Sequence, residues 1–241
     1  MQIEMPTADN PVTLVQGDCL EVLRRLPDGC VDAVVTDPPF GARRPSARRS
    51  DAERFEEIEG NDSVRTDWLP LTYRAIRDGG AAYVFTCWDR LEQWRAAMTA
   101  AGFRVRSCIV WDKLIHGLAD LDTCWAPQHE LILFGAKGRH ELSGKRPKDV
   151  IPVQRVNSGD LVHPYQKPTG ILLPLIKAST RRGDVVLDPF AGSGTTGVAC
   201  LQTDRRFIGC ELDPTHYATA RKRLDHASGT GKGSLFAGVA P

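Results

Sequence analysis

The chain has 241 residues, 41% of them hydrophobic and 25% charged, with a formal net charge of +1. That length suits one α/β domain, and the near-zero charge excludes nucleic-acid binding driven by overall basicity, so any such contact needs local patches. Seven cysteines without a C-x-x-C pair argue against a zinc ribbon or disulfide framework and fit reduced thiols in a cytoplasm. The polar opening MQIEMPTADN does not read as a signal peptide. No apolar run approaches bilayer-spanning length, so no membrane partner is expected.

In chain order, Val12–Val15 reads as a short strand. Leu20, Leu23 and Leu26 recur at helical spacing, and Pro27-Asp28-Gly29 stops that helix. Val31–Val35 is a buried-type strand that runs straight into Asp37-Pro38-Pro39-Phe40. The spacing predicts a helix over Trp68–Ile76 ending at Gly79-Gly80, then a strand over Ala81–Phe85 and a helix over Leu91–Ala101. Strands follow at Phe103–Val110 and Leu131–Phe134, and a helix at Ile171–Ser179. The final third predicts a strand at Val185–Leu187, a helix at Thr195–Leu201, a strand at Phe207–Cys210 and a helix from Pro214 to about Leu224. Such alternation implies an α/β fold with a doubly wound, mostly parallel sheet, whose ligands bind at the carboxyl ends of the strands. The whole chain, 1–241, reads as a single domain. Residues 41–66 and 113–161 break the alternation and are expected as loops or an inserted lobe above the sheet, and 229–241 as a Gly-rich flexible tail.

Two motifs carry chemistry. Gly192-Ser193-Gly194-Thr195-Thr196-Gly197 follows a strand and opens a helix, and Glu211 ends the next strand. Glycines let a ligand approach the backbone, and an acid at that spacing can accept from both hydroxyls of a ribose, so the pair points to an adenosine-containing cofactor. A solvated Glu beside a tight structural turn is the bland alternative. Asp188 ahead of Pro189-Phe190-Ala191 suits a cationic aminoalkyl sulfonium tail, whereas it would repel a pyrophosphate.

Asp37-Pro38-Pro39-Phe40 suits an exocyclic amine of a nucleobase, whose lone pair is delocalised into the ring. The Asp37 carboxylate and the Pro38 carbonyl can accept from its two N–H bonds and free that lone pair. Proline fixes φ and holds the carbonyl rigidly. The carboxylate also stabilises positive charge developing on nitrogen, and Phe40 offers a stacking face. The alternative is a rigid strand terminus with a core aromatic.

These motifs resemble those of the DNA amino-methyltransferases that act on adenine N6 or cytosine N4. With the D-P-P-F first and F-x-G-x-G last, the order is similar to the permuted β class of that family. Gly17-Asp18-Cys19, Trp111-Asp112-Lys113, Gln128-His129-Glu130-Leu131 and His163-Pro164-Tyr165-Gln166-Lys167-Pro168 resemble further family segments. The resemblance covers residues 14–40 and 163–224 closely and 79–135 more loosely. It implies a methyltransferase of the Rossmann-like type that uses S-adenosylmethionine, no metal, and a flipped base in double-stranded DNA. It further implies that Asp37, Pro38, Pro39 and Phe40 are catalytic. The cofactor residues would be Asp18, Lys167, Asp188, Pro189, Phe190, Ala191, Gly192, Ser193, Gly194, Thr195, Thr196 and Glu211.

Asp18 would receive the cofactor's adenine amine, cap a helix, or do both. Lys167 would fix the methionine carboxylate or sit on a solvated loop, and His163 is expected as a hydrogen-bonder rather than a base. The D-P-P-aromatic form implies adenine, with N4-cytosine as the alternative. Restriction–modification is one setting the family implies, and monomer and homodimer both stay open.

Arg43, Arg44, Arg48 and Arg49 emerge from the catalytic loop, where phosphates would pass, although Glu56, Glu57, Glu59 and Asp62 could pair with them. A nicotinamide-dependent oxidoreductase would leave D-P-P-F unexplained. An RNA or protein amide methyltransferase would carry Asn where Asp37 stands, and a catalytically dead DNA-binding module would not need Asp37 or Glu211 intact.

Overall fold

Residues 3–39, 64–117, 123–157, 159, 161 and 166–229 are described in the computed structural model. Eight strands form one sheet: β1 (Val12–Gln16), β2 (Val31–Thr36), β3 (Ile76–Thr86), β4 (Arg104–Asp112), β5 (His129–Ala136), β6 (Val150–Pro152), β7 (Val185–Asp188) and β8 (Arg206–Glu211). Their order is β1-β8-β7-β2-β3-β5-β4-β6. Every pairing is parallel except those of β5, which runs against β3 and β4. The fold is thus the α/β, mostly parallel arrangement expected from the alternating elements.

Among the described residues six α-helices cover the sheet: α1 (Cys19–Arg25), α2 (Leu69–Ala75), α3 (Leu91–Ala100), α4 (Thr169–Ser179), α5 (Thr195–Leu201) and α6 (Pro214–Ala227). Val22 and Leu23 of α1, Leu69 of α2 and Trp94 and Met98 of α3 enter one core. Ile171 and Leu175 of α4, Ala199 of α5 and Leu224 of α6 enter the other. Burying apolar strands on both faces removes them from water, which is why β2 and β7 read as continuous apolar runs.

Chain order reverses between β7 and β2. From β7 the chain steps outward through β8, whose other neighbour is β1, while from β2 it steps the opposite way through β3. Connections that diverge from two adjacent parallel strands open a crevice at their carboxyl ends. That crevice lies between Asp188 and the residues after Thr36.

Two expectations are corrected. Gly79-Gly80 does not end a helix ahead of a separate strand. It sits inside β3, because Gly79 takes φ +77° and the β2–β3 register shifts between Val31 and Ala33, a bulge that a Cβ would hinder. Nor does 113–161 stand above the sheet as one insertion. β5 and β6 within it extend the sheet beyond β3, and only the connections around them project. Residues 41–63 and 230–241 lie outside the described residues, so those parts of the two other expected irregular segments are not assigned a structure.

Candidate active site

The carboxyl ends of four neighbouring strands gather the residues that the sequence singled out. β1 leads to Gly17 and Asp18, β8 ends on Glu211, β7 ends on Asp188, and β2 leads into Asp37. Gly17 N–H donates to Glu211 O at 2.9 Å, which locks the ends of β1 and β8 together.

The turn after β7 is shaped by its glycines. Gly192 and Gly194 have φ of +52° and +77°, a region costly for residues with a Cβ. Gly197 has a different reason to be glycine: a Cβ there would lie 2.5 Å from Leu224 Cδ2 and 2.7 Å from Phe207 Cδ1. The turn is held from outside by Arg223 of α6, whose Nη1 donates to Ser193 O at 2.5 Å and Thr195 Oγ1 at 3.1 Å. Nothing local marks Arg223, which lies thirty residues beyond the turn it supports. Phe190 packs edge-on against Trp68, ring centroids 5.3 Å apart.

Glu211 Oε2 accepts from Gly192 N–H at 2.7 Å and Oε1 from Asp213 N–H at 3.0 Å. Burial pushes its carboxyl up, against the pull of those two amides. Asp18 Oδ1 accepts from Leu20 N–H at 2.8 Å and caps α1, while Oδ2 lies 3.8 Å from Arg65. The capping role anticipated for Asp18 is therefore present.

Asp188 is buried at 3% exposure. Its Oδ1 accepts from Thr36 Oγ1 at 2.7 Å and from Phe190 N–H at 3.1 Å, and its Oδ2 from Thr196 Oγ1 at 2.7 Å. Burial outweighs these donors and pushes its carboxyl up to about 6. Its clearest task is to tie the glycine turn to β2.

Lys167 lies elsewhere than the turn. Its Nζ is 2.6 Å from Asp37 Oδ2 and 3.0 Å from Glu130 Oε2, and the side chain is only 10% exposed. It sits 5.3 Å from the centroid of the Phe85 ring. Glu130 at the start of β5 is in turn 2.9 Å from Lys113 Nζ, through Oε1. The segments carrying Lys113, Glu130 and Lys167 were noticed in the sequence, but nothing there said that they meet at Asp37. Pro38 is buried and Pro39 half-buried beside Asp37. Phe40, Arg43, Arg44, Arg48, Arg49 and His163 lie outside the described residues.

A glycine turn and Glu211 at one side of a switch-point crevice, with Asp-Pro-Pro at the other, define a methyltransferase of the doubly wound α/β class. The chain belongs to the N6/N4 DNA methylase family, whose pattern it matches over residues 31–222, and it is a DNA methyltransferase of that family. It is 35% identical over 216 residues to YubD of Escherichia coli K12, covering 87% of this chain and 88% of that protein. It is 30% identical over 244 residues to the type II methyltransferase M2.DpnII of Streptococcus pneumoniae, covering 90% of each. Among solved structures, the M1.HpyAVI-SAM complex aligns with a TM-score of 0.68 and 25% identity over 88% of this chain and all of that one. The cytosine-N4-specific PvuII DNA methyltransferase aligns with a TM-score of 0.72 over 91% of this chain and 87% of that one; at 17% identity it speaks to the fold alone.

Proposed function

We propose that the chain moves a methyl group from S-adenosylmethionine to the N6 amine of an adenine flipped out of double-stranded DNA. The observation that carries this is the meeting of Asp37-Pro38 at the end of β2 with the glycine turn at the end of β7, across the crevice where the strand order reverses.

The residues fit this cofactor better than a dinucleotide. In the turn, Ala191 N–H is bonded to Cys210 O, Gly192 N–H to Glu211 and Gly194 N–H to Ala191 O. A pyrophosphate would compete for those amides, and the Asp188 carboxylate would repel it. Asp18, Glu211 and the segment Asp188–Thr196 would hold the cofactor, and the likeness to the M1.HpyAVI-SAM complex supports the same choice. When bound, S-adenosylmethionine supplies an electrophilic methyl group.

The chain's own part is to prepare the amine. Asp37 accepts one N–H and the Pro38 carbonyl the other, which turns the nitrogen lone pair out of conjugation. The Asp37 carboxylate would then stabilise the positive charge that develops on nitrogen as its bond to the methyl carbon forms and the carbon–sulfur bond breaks to a thioether. Loss of one proton from nitrogen to solvent would give the neutral methylated amine. Phe40 would stack on the base, and Arg43, Arg44, Arg48 and Arg49 would contact phosphates. Adenine is favoured by the D-P-P-aromatic form. The similarity to M2.DpnII fits a restriction–modification setting in the cytoplasm.

The test is mass spectrometry of nucleosides from DNA treated with the protein and S-adenosylmethionine, paired with long-read sequencing for context. N6-methyldeoxyadenosine is the expected product. N4-methyldeoxycytidine would replace the base assignment, and no methylated nucleoside would overturn the function.

A further inference from the structure

Four charges, Lys167 buried and the others half-buried, alternate in sign along one line: Lys113, Glu130, Lys167 and Asp37. The contacts are 2.9 Å from Lys113 Nζ to Glu130 Oε1, 3.0 Å from Glu130 Oε2 to Lys167 Nζ, and 2.6 Å from Lys167 Nζ to Asp37 Oδ2. All four side chains are at most 20% exposed. The two ammonium groups also flank the indole of Trp111, at 5.6 and 6.0 Å from its centroid. Four parts of the fold build the line: the ends of β2 and β4, the start of β5 and the segment before α4. Backbone pairing sets its register, because Trp111 faces Glu130 across β4 and β5 and Lys113 N–H donates to Gln128 O at 2.9 Å.

Taking four charges largely out of water is poor economy for stability, since apolar residues of the same volume would often serve as well or better. The line therefore calls for a role in the site. Lys167 fixes the Asp37 carboxylate in place, but an ammonium at 2.6 Å also cancels the negative charge that a cationic transition state needs. Glu130 on the same ammonium offsets part of that cancellation, while the balancing cation, Lys113, lies one contact further from Asp37.

We propose that Glu130 is a positioning and charge-setting residue for methyl transfer, acting on Asp37 through Lys167, with Lys113 holding it in place. This rests on the methyltransferase function proposed above. The electrostatics agree with the geometry. Burial alone would raise the Glu130 carboxyl, yet Lys167 and then Lys113 overcome that and hold it well below the usual carboxylate range. Burial would lower the Lys167 amine, yet Asp37 and then Glu130 hold it up. Glu130 and Lys167 are therefore both charged at neutral pH.

The test is single-turnover methylation of DNA by wild type, Glu130→Gln, Lys167→Met and the Lys167→Met/Glu130→Gln double variant, with titration of S-adenosylmethionine into each. Glu130→Gln should slow the chemical step by at least about tenfold, the scale of one charge-assisted hydrogen bond. It should leave the cofactor Kd and the DNA KM within about twofold of wild type. In the Lys167→Met background the same substitution should have no further effect, because the carrier of the coupling is gone. An unchanged rate in Glu130→Gln, or a loss that appears in KM alone, would overturn the proposal. If Glu130→Gln does not fold, the Lys167→Met pair decides. Equal rates support the proposal, and a further tenfold loss refutes it. A wild-type chain that methylates no DNA would sink the proposed function and this inference together, whereas an active wild type with an indifferent Glu130 sinks only the inference.

Discussion

The hydroxyl of Thr36 donates to Asp188 Oδ1 across 2.7 Å, and both residues are buried. One lies at the end of the strand that carries Asp37, the other at the end of the strand that carries the glycine turn. A single hydrogen bond thus joins the two halves of the site at the point where the sheet opens, and Asp188 also accepts from Thr196 and Phe190.

Asp188→Asn tests what that carboxylate contributes. Its folded value, about 6, lies above that of an unfolded aspartate. The folded state therefore binds more protons than the unfolded state between about pH 4 and 6. Stability from this group is full below that window and is lost as pH rises through it, by about 3 kcal/mol at most. Asn can accept from Thr36 and Phe190 and donate to the Thr196 hydroxyl, so the fold should survive. Across melts from pH 4 to 8, the wild-type-minus-variant difference should fall as pH rises. A flat difference would show that the buried carboxylate does not titrate in this range.

Asp37→Asn keeps shape and one acceptor oxygen but removes the charge. Methylation should fall by at least about two decades, with cofactor binding little changed, because the charge acts only as the methyl group transfers. Normal turnover by a stable Asn variant would reduce Asp37 to a structural role.

Glu211→Ala should weaken S-adenosylmethionine binding by about tenfold or more, on the scale of a lost charge-assisted acceptor. It also removes the partner of Gly192 N–H and Asp213 N–H, so the melting temperature should drop as well. Glu211→Gln, which retains one acceptor oxygen, should lose less of both. Calorimetric titration measures the first effect, and an unchanged Kd would rule out the ribose assignment.

Gly197→Ala should lower stability by roughly 1–3 kcal/mol through overpacking, because the new methyl would press on Leu224 and Phe207. Combined with Leu224→Ala, the two losses should be less than additive in thermal melts, because the truncation makes room for the new methyl. Additive losses would mean that the contact is not the cause.

Replacing Arg43, Arg44, Arg48 and Arg49 with Ala should weaken binding to any duplex alike and flatten the dependence of log K on log salt by up to about 3–4. A salt slope equal to wild type would mean that these arginines face solvent only.

The sequence by itself determined the local pieces. Asp37-Pro38-Pro39 could be put at the end of a strand, and Gly192–Gly197 at a strand-to-helix turn, because short apolar runs, proline and glycine are signals read within a few residues. Family motifs then supplied the chemistry. Tertiary structure alone decided that β5 is reversed, that Gly79-Gly80 lies inside a strand, and that Lys167 is buried against Asp37 rather than on a solvated loop. Asp37, Lys113, Glu130 and Lys167 are scattered along the chain, and in isolation the lysines and Glu130 look like ordinary solvated charges. What brings them to one line is the pairing of strands distant in sequence, and that pairing is settled by how the whole sheet buries its two faces.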